Sequence, residues 1–207
     1  MNTNSEQTNS ATHTLVVPVN IQKITAHTAM EIVQHFDLQE KSVPLLTSEQ
    51  TPAEFLQILI NNEHYLDAIA LLAHGMPVRE ATWWACLCAR DHFEHSDQLN
   101  QQTLISAEQW VQQPTEEHRR EAEKHAEATD YNSPASWTAA AAFWSGDSIA
   151  SEDEPMMAPP PFLYAHAVSG AIVMSATLDM PTETELKERY QRYLKQAITI
   201  ANNGNES

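Results

Sequence analysis

Positive charge is scarce in this chain. Eleven Lys and Arg stand against 28 Asp and Glu, leaving a formal charge of -17 with histidine neutral. Nucleic acids and anionic membranes are bound by clustered cations that displace counterions, so neither is expected as a partner. Glycine is scarcer still: four glycines in 207 residues, Gly75, Gly146, Gly170 and Gly204, leave no Gly-rich phosphate loop and little material for tight β turns. The only two cysteines, Cys86 and Cys88, lie two apart in what reads as a helix. They are too close for a structural disulfide, a usage that fits a reducing compartment. Long apolar runs are missing too. The longest uncharged stretch, residues 155–178, contains Pro159-Pro160-Pro161, and its helix-competent part is broken by His166, Ser169, Gly170, Ser175 and Thr177. A bilayer span needs about 20 predominantly apolar residues, so this stretch is expected to be a buried helix and no membrane span is expected. Residues 1–12 lack both the charged start and the apolar centre of a secretory signal, so the expected location is cytoplasmic.

What is present is enough apolar material, 42% of residues, for one proper core. The chain divides into a polar, disordered lead at 1–14 and a single helical domain at 15–207. Within 15–19, Pro18 would confine any extended piece to a sheet edge. The spacing of Ile24, His27, Met30, Ile32, Val33 and Phe36 predicts a first helix of about three turns. Thr51-Pro52-Ala53-Glu54 is a capping box that opens a second helix, with Phe55, Leu56, Ile58, Leu59 and Ile60 on its apolar face. A third stripe, Tyr65 to Ala73, ends at His74-Gly75, where a left-handed glycine cap is wanted.

The next helix, about 77–93, is the centre of the expected fold. Residues 81–89 carry no charge, and their bulky members, Trp83, Trp84, Cys86, Leu87 and Cys88, point all around the axis. A helix apolar on every side is buried on several sides, so these five are predicted core. Beyond it the sequence predicts a short helix at 106–111 carrying Trp110, a highly charged helix at 116–128 capped by Thr115, a helix opened by Ser133-Pro134 and ended by Gly146, and two final helices at 162–178 and 183–201. Between them, residues 147–161 form a Pro-rich acidic loop that is either mobile or an interaction surface. The expected class is all-α: seven or eight helices packed as antiparallel hairpins around the 77–93 helix.

The residues offer few chemical sites. His118, Glu121 and His125 are three and four apart, so on a helix they share one face, which suits metal ligands; the favoured reading is a solvated face with Glu-to-His and Glu-to-Lys contacts. Asp91, His92, Glu94 and His95 form a polar end to the central helix, and neither cluster matches His-Glu-x-x-His. Side chains at Cys86 and Cys88 diverge by about 200°, so they cannot readily share a metal, and an apolar setting gives neither thiol a reason to ionise. Arg79 and Trp83 are spaced for a cation-π contact, and His166 suits a hydrogen-bonded core position. No cofactor is expected.

Charge distribution is more suggestive. Residues 182–207 hold four acids and four bases, so residues 1–181 carry the whole -17. Such a body would be steered toward a basic protein partner, although solubility alone also accounts for the charge, and the acidic loop with its methionines, Glu152, Asp153, Glu154, Met156 and Met157, is the candidate contact. The segment Pro77-Val78-Arg79-Glu80-Ala81-Thr82-Trp83-Trp84-Ala85-Cys86 resembles the Arg-Glu-Ala-x-Trp-Trp-Ala-Cys helix of an uncharacterised bacterial family associated with type VI secretion gene neighbourhoods. The resemblance covers about residues 51–91 and brings no catalytic residues. It implies a cytoplasmic accessory protein of a contractile secretion system, an adaptor, chaperone or scaffold. The alternative expectation is a metal-dependent enzyme or effector built on the His118/Glu121/His125 face.

Overall fold

A computed structural model describes residues 15–151 and 153–202. The expected disordered lead at 1–14 lies outside them. Nine α-helices, two single 3-10 turns and no strand make up the described residues: α1 (Ala29–Val33), α2 (Pro52–Asn61), α3 (Tyr65–Gly75), α4 (Val78–Arg90), α5 (Gln98–Gln112), α6 (Glu116–Ala128), α7 (Pro134–Phe143), α8 (Leu163–Thr177) and α9 (Glu183–Asn202). The fold is all-α, and successive helices from α4 to α9 pack on one another.

Local chemistry explains most of the boundaries. At α2 the Glu54 amide donates to Thr51 Oγ1 at 3.3 Å while the Thr51 amide donates to Glu54 Oε2 at 2.8 Å, a reciprocal capping box that satisfies two orphan donors. Ser133 caps α7, whose first residue is Pro134. The interior is built where helices of small residues meet. Ala139, Ala140, Ala141 and Ala142 of α7 and Ala165, Ala167 and Ala171 of α8 are fully buried, which lets these two helices lie close together.

The centre is shared by α4, α7 and α8, which all pack on one another, where the sequence pointed to one helix. α4 packs against α5, α7, α8 and α9, while α8 packs against α3, α4, α7 and α9. Trp84 is fully buried, and its indole N–H donates to the Tyr193 carbonyl of α9 at 2.8 Å. Cys86 and Cys88 are also buried, but Trp83 and Leu87, one turn apart on the same face, are only partly buried, with Trp83 packed against the edge of the core. A helix uncharged all round still kept one stripe toward solvent.

Three further expectations change. The first helix is short: a capping box between Thr28 and Glu31 starts α1 at Ala29, and Ile21 and Ile24 enter the core from an irregular strap instead. That strap forms no sheet edge. The Val17 amide donates to Gln57 Oε1 at 2.7 Å, and the Lys23 amide donates to the Ala201 carbonyl at 2.9 Å. Second, α5 begins eight residues before the predicted 106, because Asp97 caps it by accepting from the Asn100 amide at 2.8 Å. Third, no glycine among the described residues has positive φ. Gly75 is needed for close approach: a Cβ there would stand 2.9 Å from Ile32 Cδ1. Left-handed positions fall on Glu63, Asp130, Tyr131, Phe162, Asp179 and Met180 instead.

Candidate functional site

Helix α6 has the composition of a solvated helix, yet it buries two arginines. Arg119 and Arg120 are 3% and 8% exposed. Arg119 grips the Glu116 carboxylate with two parallel bonds, Nε to Oε2 at 2.6 Å and Nη2 to Oε1 at 2.7 Å, and sends Nη1 to the Phe143 carbonyl at 2.6 Å. Arg120 donates to Glu116 at 3.0 Å, to Glu123 at 2.8 Å and to the Ala150 carbonyl at 2.9 Å. Burying a guanidinium is tolerable only when its donors are satisfied, and here carboxylates and backbone carbonyls satisfy them. Both guanidiniums also lie over the Phe143 ring, 5.0 and 5.6 Å from its centre. Gly146 completes the fit, since a Cβ there would come within 2.5 Å of Arg119 Nε. The pKa of Glu116 is lowered chiefly by its bond to Arg119.

This clamp holds the base of the acidic loop. From there the chain closes on itself: the Ile149 amide donates to the Met157 carbonyl at 2.8 Å, and the Met157 amide donates to Ser148 Oγ at 3.1 Å. Ser148 and Ala150 are buried in consequence. Asp153 and Glu154 stand exposed at the tip, and Met156 and Met157 are 77% and 59% exposed. Glu152 lies outside the described residues. A negative tip beside two open, adaptable thioethers, on a fixed base, is suited to contact with a cationic and partly apolar surface.

Other sequence-derived candidates separate. His118 Nδ1 turns to the Gln113 carbonyl at 2.9 Å, while His125 Nε2 meets Glu121 Oε1 at 3.3 Å. These three are not brought together, and among the described residues no group of three His, Cys, Asp or Glu side chains could hold a metal. Asp91 pairs with Arg192 and accepts from the Tyr193 hydroxyl at 2.8 Å, whereas His92 is buried with Nε2 2.8 Å from the Ser175 carbonyl. His92 and His95 line a groove of about 280 Å³ together with Asp97, Asn100 and Ser133. Burial pushes the Cys86 and Cys88 thiols well above their ordinary range, which keeps both unreactive. Arg79 does not stack on Trp83 but donates to the Val111 and Gln112 carbonyls at the end of α5.

Two clusters had no sequence signal. Ser42, His64 and Asp67 meet, but the serine stands between the other two: Ser42 Oγ donates to Asp67 Oδ2 and lies 2.8 Å from His64 Nδ1. That order pins the 39–46 segment to α3 and does not activate a nucleophile, which requires the histidine in the middle. The second cluster gathers His35, Phe36, His74, Phe162 and His166 where α1, α3 and α8 meet. His166, expected in the core, is exposed and sits edge-on to His74. His74 itself is 5% exposed; its Nδ1 is 2.8 Å from the Ala70 carbonyl, and its Nε2 has no hydrogen-bond partner among the described residues.

Burial, followed by the neighbouring histidines, outweighs the Ala70 bond and lowers the His74 pKa from 6.5 to about 4. The unfolded chain therefore binds the proton first as pH falls. Stability from this ring is complete above pH 6.5 and is lost between 6.5 and about 4, by about 3 kcal/mol in all. Urea midpoints measured across that range should fall in the wild type, and His74→Leu should flatten the slope; an unchanged slope would count against this assignment.

The fold and loop together define an all-helical domain with an arginine-clamped acidic loop. The chain belongs to a family of unknown function, DUF6931, whose model matches residues 55–201. That match covers α2 through α9 apart from their outermost residues, and so includes the clamp and the loop. No curated protein and no solved structure matches the chain.

Proposed function

We propose that this protein is a non-enzymatic cytoplasmic adaptor, chaperone or scaffold whose acidic loop binds a protein partner of basic surface character. The observation that carries the reading is the loop itself, with Asp153, Glu154, Met156 and Met157 exposed on a base fixed by two buried arginines. Fixing the base lowers the entropy lost when the loop is ordered on a partner. The concentration of the -17 charge in residues 1–181 supports it, because such a field speeds encounter with a cationic surface. The two buried free thiols are compatible with a reducing cytoplasm. The resemblance at residues 77–86 makes a contractile secretion apparatus, of the type VI kind, the first place to seek the partner.

Capture from native lysate tests the proposal. Full-length protein should retain a basic protein that elutes between about 0.15 and 0.5 M salt, where screening shortens the reach of exposed charges. The variant Asp153→Asn/Glu154→Gln/Met156→Ser/Met157→Ser should lose it while remaining folded. Equal recovery by wild type and variant would exclude the loop as the contact.

A further inference from the structure

Arginines meet aromatic rings at several points inside this molecule. Arg90 lies 4.3 Å from the centre of the Phe93 ring, Arg192 lies 5.2 Å from that of Tyr193, and Arg119 and Arg120 share Phe143. A larger aromatic group, Tyr131, Trp137 and Trp144, sits where α6 passes into α7, and among the described residues no arginine or lysine lies over it. All three rings are half-buried. The Tyr131 and Trp144 rings are nearly parallel, 14° apart with centres 6.3 Å distant, and Trp137 stands at 87° to Trp144 with centres 6.4 Å apart.

The group is held in place. Trp137 donates its indole N–H to the Tyr131 carbonyl at 2.7 Å, and its six-membered ring rests on Gly170, where a Cβ would come within 3.0 Å of Cε3. Asp130 and Tyr131 both adopt left-handed backbone, with φ of 50° and 52°, which fixes how Tyr131 leaves the end of α6. Glu127 stands in the last turn of α6, one turn before Tyr131, with its carbonyl accepting from the Asp130 amide at 3.0 Å, and after burial Glu127 and then Glu123 raise the Tyr131 hydroxyl pKa. Glu123 is already bonded to Arg120. Glu127 is exposed and has no ion pair among the described residues. Trp144 directly follows Phe143, so this aromatic group and the acidic loop flank the same arginine clamp.

We propose that Tyr131, Trp137 and Trp144, with the Glu127 carboxylate beside them, receive a lysine or arginine side chain from a basic segment of the partner protein. The inference rests on the reading that the partner is basic. Ring faces carry negative charge density that attracts cations, and an exposed to partly desolvated contact of this kind changes affinity between about twofold and thirtyfold. A neighbouring carboxylate adds to the attraction and favours a cation over a neutral apolar side chain.

The test is an NMR titration of the full-length protein with a hexa-arginine peptide at fixed salt, reading the indole N–H resonances, with hexaglutamate as the control. The Trp137 and Trp144 resonances should move with hexa-arginine and stay with hexaglutamate, while that of buried Trp84 stays in both. Trp144→Leu should weaken binding about tenfold, Trp144→Phe less, and Glu127→Gln about twofold or more. The loop variant Asp153→Asn/Glu154→Gln should leave the Trp137 and Trp144 shifts in place. Unchanged affinity in both Trp144→Phe and Glu127→Gln overturns the receptor, as does loss of the indole shifts in the loop variant alone. Failure of the lysate capture with these shifts intact overturns the reading that the loop binds a basic partner while leaving cation binding by the rings in place.

Discussion

Trp84→Ala is expected to lower the free energy of unfolding by about 3 to 5 kcal/mol, enough to leave much of the protein unfolded at moderate urea. The side chain is fully buried in α4 between the helices that share the centre, and removing it leaves a cavity that those helices cannot close without moving. It also deletes the indole bond to the Tyr193 carbonyl, which ties α4 to α9 across 109 residues of chain. Its neighbour supplies the control. Trp83 is only partly buried at the edge of the core, so Trp83→Ala should cost clearly less, about 1 to 2 kcal/mol. Urea denaturation followed by circular dichroism measures both, and equal losses would contradict the burial of the Trp84 face of α4 in preference to the Trp83 face.

Arg119→Met is expected to cost about 3 kcal/mol and to loosen the acidic loop more than the rest of the molecule. Four effects combine. The Phe143 carbonyl loses a charge-assisted donor, the Glu116 carboxylate loses its two-pronged partner, the Phe143 ring loses a cation, and the space kept open by Gly146 is filled by the wrong shape. Glu116 is largely exposed and can return to water, which keeps the loss at the lower end of the range for a broken buried pair. Hydrogen exchange reads the local part: the amides of Ile149 and Met157, bonded across the loop base, should lose protection beyond the global change. Gly146→Ala should act in the same direction by displacing the guanidinium. Unaltered exchange at those two amides in both variants would show that the clamp does not hold the loop.

Much of the fold could be read before the structure because it is written in local chemistry. Thr51 with Glu54, Ser133 with Pro134, and Thr115 mark helix starts through side chains within three residues of the amides they satisfy. The uncharged run at 81–89 gave the burial of α4, although apolarity alone could not distinguish Trp84 from Trp83. α5 was half missed for a related reason. Thr103 and Ser106 are buried, but each returns its hydroxyl to a carbonyl of its own helix, at 2.9 and 2.7 Å, and so packs as an apolar residue would. A count of apolar residues does not register such a face.

The candidate site was legible only in outline. Its acidic and methionine residues stand out in composition, so residues 147–161 could be singled out, yet the clamp beneath them could not. Arg119 and Arg120 look solvated because what permits their burial, the Phe143 and Ala150 carbonyls, lies 24 and 30 residues downstream. The same separation hides the His35, His74 and His166 cluster, assembled from three distant helices or helix ends. Spacing within one helix did suggest His118, Glu121 and His125, and there shared helical face was not enough: the Gln113 carbonyl captured His118.

The most direct test of the adaptor reading places a photo-crosslinking residue at position 156, with an identical probe at Leu99 as a surface control, and maps the products formed in native lysate by mass spectrometry. The account predicts that the probe at 156 joins one protein through a Lys- or Arg-rich segment, that raising salt to about 0.5 M suppresses the product, and that the probe at 99 does not form it. Crosslinks at 156 that are absent, or that fall on the same mixture of proteins as those from 99, would contradict it.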